Sequence, residues 1–184
     1  MSPETKDELI AAIPNLRAFA ISLTGQVDRA DDLVQETLVK AWTNIESYQE
    51  GTNMRAWLFT ILRNAFYSEF RKRRREVQDV DNVYSSNLAV HAGQDSSMDV
   101  RDFESALGKL SDDQREALIL IGASGFSYEE AAGIIGCEIG TVKSRVNRAR
   151  RRLADLLEVS GADDFTPDKH QQAVLSSRSN LVHS

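Results

Sequence analysis

Apolar side chains recur three and four residues apart along most of this chain, the spacing that gathers them on one face of a helix. Leu9, Ile10 and Ile13 precede Pro14, which predicts a new helical start or a kink there. Leu16, Phe19, Ala20 and Leu23 form the next inner face, and Gly25 ends it. Asp28 is expected to N-cap a second helix that buries Leu33, Val34, Thr37, Leu38, Ala41, Trp42 and Ile45. Its outer face carries Asp32, Gln35, Glu36 and Lys40. A loop over residues 46–53 leads to Asn53, which suits the cap of a third helix from Met54 to about Arg75. Trp57, Leu58, Ile61, Leu62, Ala65 and Phe66 should point inward.

The rhythm breaks over residues 76–100, where Asp79, Asp81, Asp95 and Asp99 stand among serines and asparagines. About 25 residues without periodicity suggest a flexible acidic linker between two domains. Helical spacing then returns. Phe103, Ala106, Leu107 and Leu110 are expected inside one helix, and Ser111 with Gln114 has capping-box spacing for the next. Ala117, Leu118, Leu120 and Ile121 follow, closed by Gly122 and Gly125. Residues 126–157 predict two helices joined by a tight turn. Ser127 and Glu130 form a second capping box, and Gly136 fits the left-handed stop. The polar run from 159 to 184 is expected to be disordered. The pattern is all-α, with two small helical domains at 8–75 and 101–158, the second containing a helix-turn-helix.

Charge sharpens the picture. The last helix sets Val142, Val146, Ala149, Leu153, Leu156 and Leu157 on one side and Ser144, Asn147, Arg148 and Arg151 on the other. Lys143, Arg145, Arg150 and Arg152 flank the polar stripe. Such a helix, set off by a short helix and a tight turn, suits the major groove. Five cations from Arg71 to Arg75 end the third helix and repel one another, so stability does not explain them. Basic groups near aromatic and amide side chains suit single-stranded nucleic acid, and Tyr48, outside the helix, is the better base-contacting candidate. The net charge of −6 is unusual for a DNA binder. With the cations confined to two clusters, weak DNA binding alone and recruitment by a larger machine are expected.

Several classes are disfavoured. The single cysteine, Cys137, gives no internal disulfide and no cysteine-cluster metal site. His91, His170 and His183 fall in the linker and tail, away from any nucleophile, so no enzyme and no cofactor is expected. No apolar run is long enough to cross a bilayer, and Lys6, Asp7 and Glu8 interrupt any signal peptide, so a cytoplasmic protein is expected.

Three stretches together resemble a bacterial sigma factor of the extracytoplasmic-function (ECF) group: DRADDLVQETLVKAW at 28–42, NMRAWLFTILRNAFYSEFRKRRR at 53–75, and residues 110–153 with REALILIGASGFSYEEAAGIIG and GTVKSRVNRARRRL. REALILIGASGFSYEEAA is most similar to the general-stress-response type of alphaproteobacteria. The resemblance implies binding to core RNA polymerase through Asp32, Leu33, Gln35 and Glu36. It implies contacts to a melted −10 element through Tyr48, Asn64, Arg63 and Arg71. Lys143, Ser144, Asn147 and Arg148 match positions facing a duplex −35 element, with Arg145, Arg150 and Arg151 as phosphate clamps. It further implies an inhibitory anti-sigma factor that meets apolar residues of both domains, Trp42 and Leu118 among them. Glu138 departs from the family, which often has proline there. The rival reading is a polymerase-independent helix-turn-helix regulator, which leaves residues 53–75 unexplained.

Overall fold

The computed structural model describes residues 2–78 and 98–157. Most of the predicted linker and the whole tail beyond residue 158 lie outside the described residues. Seven α-helices and one 3-10 turn among the described residues fall into two groups. The first group is α1 (Pro3–Thr24), α2 (Val27–Thr43), a 3-10 turn (Ile45–Ser47) and α3 (Met54–Gln78). The second is α4 (Met98–Gly108), α5 (Asp112–Gly122), α6 (Tyr128–Ile135) and α7 (Ile139–Leu156). No strand occurs among the described residues.

Local chemistry sets most boundaries. Gly25 stops α1 at a φ of 67°, where a side chain would strain the backbone. Asn53 Oδ1 accepts from the Ala56 amide at 3.1 Å and caps α3 as expected. The Ser127–Glu130 box is complete: Ser127 Oγ accepts from the Glu130 amide at 3.1 Å, and Glu130 Oε2 accepts from the Ser127 amide at 2.8 Å. At α5 only half a box forms, with Ser111 Oγ accepting from the Gln114 amide.

Four expectations are corrected. Of the two readings of Pro14, the new helical start is overturned, because α1 runs through it. It lies on the exposed face, where water can satisfy the Ile10 carbonyl that loses its partner. Asp28 is not the cap of α2; Gln26 takes that place with an extended backbone, and Asp28 sits in the first turn facing the positive helix end. Trp42 is 61% exposed, and Phe103 is exposed as well.

Leu16, Phe19, Leu33, Leu58 and Leu62 fill the core of the first group, and Ala117, Leu120, Ile134, Val142 and Val146 that of the second. These two sets merge into one apolar cluster. α3 packs on α6, and α1 on α5. Phe59 is the bridge: it stacks on Phe19 at 4.8 Å between centroids and meets Phe126 of the second group edge-on at 4.9 Å. Each such aromatic pair contributes about 0.5–1.5 kcal/mol beyond area burial. Asn53 Nδ2 donates to Glu130, and Arg55 donates to the Ser124 carbonyl while covering the Phe126 ring. The two halves are therefore closed against each other.

Candidate nucleic-acid interface

The helix-turn-helix is built as α6, a left-handed Gly136, and α7. Gly136 has a φ of 76°, and its amide reaches back to the Ala132 carbonyl at 2.8 Å. Glu138 is the N-cap of α7; its carbonyl accepts from Thr141 and Val142, but its side chain makes no capping bond. Val142, Val146, Ala149 and Leu153 are buried, which turns the opposite stripe outward.

On that stripe Lys143, Asn147, Arg148 and Arg151 are exposed. Lys143 lies over the Tyr128 ring at 5.6 Å. Ser144 is half-buried; its hydroxyl donates to the Thr141 carbonyl at 2.9 Å and accepts from Arg148 Nη2 at 3.1 Å. Arg145 is turned aside, donating to Asp113 of α5 at 2.8 Å. The result is a polar and cationic helix face with one guanidinium pre-oriented by a neighbouring hydroxyl.

The other candidate residues are divided. Asn64 and Arg71 are exposed on α3. Tyr48 is only 8% exposed: its ring leans on Trp57 at 5.3 Å and its hydroxyl donates to the Thr52 carbonyl at 2.8 Å. A base can reach that ring only if the 48–52 loop moves. Arg63 is held by α5, with Nε 2.8 Å from Glu116 Oε1 and Nη2 3.3 Å from Oε2. On α2, Asp32, Gln35 and Glu36 line the surface, with Glu36 paired to Lys40, whereas Leu33 faces the core.

Glu116 was not singled out by the sequence, nor were Phe59 and Phe126. Glu116 is fully buried, and burial raises its pKa even though Arg63 pulls the other way. Burial, then the Glu116 charge, raises the Tyr67 pKa, so that phenol keeps its proton 3.5 Å from the carboxylate. The available signal was a glutamate inside an apolar helical run, REALILIG, and an apolar arc on α3 too wide for one neighbour. Glu130 is held low, mainly by the Ser127 amide, so its cap stays ionised.

Among the described residues no cluster of His, Cys, Asp and Glu could hold a metal, and no helix is long and apolar enough to cross a membrane. Phe103, Leu107, Leu118, Leu153 and Leu157 line an apolar groove between α4, α5 and α7.

Comparison with known proteins matches Sigma-70 region 2 at residues 9–76 and Sigma-70, region 4 at residues 101–153. The ECF RNA polymerase sigma factor EcfG of Rhodopseudomonas palustris is 59% identical over 175 residues, covering 95% of this chain and 97% of its own. The ECF RNA polymerase sigma factor SigM of Bacillus subtilis is 35% identical over 156 residues, 83% of this chain and 94% of its own. The sigma factor RpoE of Bartonella quintana, solved in complex with the anti-sigma factor NepR, is 60% identical with a TM-score of 0.78, over 86% of this chain and 99% of its own.

Proposed function

The chain belongs to the sigma-70 family, in its extracytoplasmic-function group, and from this we infer the division of labour between its two halves. It is an alternative sigma factor of the general-stress-response kind. It binds core RNA polymerase, directs it to specific promoters, and is held inactive by an anti-sigma factor. The observation that carries this is the identity of 59% across 95% of the chain, with both region matches in order.

The assignment of surfaces is our own reading. Asp32, Gln35 and Glu36 form the polymerase-facing side of α2, and Leu33 supports them from the core. Arg63, Asn64 and Arg71 of α3, with Tyr48 once its loop opens, engage the melted −10 strand. Unstacking a base costs a few kcal/mol, which a pocket offsets by stacking and hydrogen bonding. Lys143, Ser144, Asn147 and Arg148 read the −35 duplex, with Arg145 and Arg151 on phosphates. The exposed polar stripe of α7 supports this part. The anti-sigma factor takes the apolar surfaces of both halves, Trp42 on α2 and the groove lined by Leu118; their exposure supports that choice. The site of action is the cytoplasm, where polymerase is. The reaction it serves is polymerase's own, and the chain contributes recognition rather than chemistry.

Run-off transcription with purified core polymerase tests the reading. Addition of the chain should produce a transcript from a defined start on a cognate stress promoter. A chain that leaves the start pattern of core polymerase unchanged overturns it.

A further inference from the structure

The contact between α3 and α5 buries a charged pair that joins the two halves. Glu116 is 0% exposed, beside Ala117 and Leu120 on α5. Its partners lie across the boundary: the Arg63 guanidinium makes two bonds, and the Tyr67 hydroxyl is 3.5 Å away. One turn away on α5, Asp113 takes Arg145 of α7. A single helix thus offers an acid to one cation from each candidate DNA surface.

Apolar packing of Phe59 on Phe126 favours closure, whereas the buried carboxylate opposes it. An ionised carboxylate without a partner is not tolerated in such a place. While Glu116 is ionised, closure therefore persists only if Arg63 stays on it. Arg63 is less deeply buried than its partner, at 18% of its side-chain surface against 0%, so it is the member that can be drawn away.

We propose that Arg63 switches between two anionic partners, Glu116 in the closed protein and promoter DNA in the open one, so that closure and promoter engagement exclude each other. By linkage, whatever captures Arg63 destabilises the closed form, and whatever opens the protein frees Arg63. The closed form then restrains the chain before any inhibitor arrives. This rests on the reading of Arg63 as a promoter contact.

The test uses the full chain with donor and acceptor dyes on Thr43→Cys and Glu129→Cys in a Cys137→Ser background; both labelled positions are exposed. Energy transfer reports closure, and run-off transcription at limiting sigma reports function. Glu116→Arg sets two cations face to face, and should lower the closed-to-open ratio by about tenfold or more. Its run-off yield should rise severalfold. Arg63→Glu combined with Glu116→Arg restores the pair, and should regain wild-type transfer while transcription stays low. That return also shows that the single variant was open rather than unfolded. Unchanged transfer in Glu116→Arg overturns the switch, and so does a double variant that remains open. An open Glu116→Arg with unaltered transcription overturns the competition with DNA while leaving the promoter reading intact. A wild-type chain that closes but starts no promoter-directed transcript overturns both.

Discussion

Arg148→Ala isolates the duplex-reading surface. Arg148 stands exposed on α7, and its one described bond is to Ser144 Oγ at 3.1 Å. That bond holds the guanidinium in place before DNA arrives, so little side-chain freedom is left to lose on binding. A good base contact is worth about 1–3 kcal/mol of discrimination. Exchanging the Ser144 bond for a DNA contact offsets part of it, so the lower end applies, about 1–2 kcal/mol or ~5- to 30-fold. Folding should hardly change, because an exposed substitution away from caps and core stays within about 0.5 kcal/mol. The assay is run-off from paired promoters, one with its −35 element intact and one with it scrambled. The variant should lose most of the difference between them, with core association and melting temperature unaltered. Parallel loss of core association, or a preserved preference for the intact promoter, refutes the assignment of this helix face.

Other substitutions probe the rest. Phe126→Ala removes the ring that joins Phe59 to Arg55 and should destabilise by about 3–5 kcal/mol, visible as a lower melting temperature together with reduced energy transfer between the halves; a drop in neither would mean the contact is idle. Ser127→Ala deletes one arm of the capping box and should lower stability by about 1 kcal/mol in thermal denaturation followed by circular dichroism. An unchanged transition would contradict the cap's role. Closure should also depend on pH. Glu116 has a raised pKa when closed, mainly by burial, with Arg63 and Arg145 lowering it and Asp113 raising it. Protonation therefore favours the closed form, most fully below the ordinary glutamate value of 4.5, and the gain fades as pH rises through the raised value. Energy transfer should increase on acidification from neutral pH, and Glu116→Gln should flatten the response; a decrease instead would reverse the argument.

The sequence carried the helices well because each rests on local chemistry. Asn53, Ser127, Gly25 and Gly136 act within a few residues of themselves, so spacing alone locates them. The outward stripe of α7 was legible for the same reason, since a period of 3.6 fixes which residues share a face. What escaped is non-local. Nothing near Phe59 says that Phe126 will meet it, and the apolar run around Glu116 does not say that Arg63 of α3 will lie across it. Trp42 misleads in the opposite direction. Its spacing assigns it to the core, but it stands in solvent. Tyr48 carries the same lesson, because its burial depends on neighbours that its own segment does not specify, whereas the spacing of α2 already placed Leu33 inside.

The junction of Asn53 with Glu130 has a consequence for how this protein moves. Asn53 uses its oxygen to seal its own helix and only its nitrogen to reach across; Glu130 likewise keeps one oxygen for Ser127 and lends the other. When the two bodies part, a single strand of that knot is cut and both helix beginnings stay finished. Each half can swing free as a completed piece, ready to grip without first having to re-form its ends.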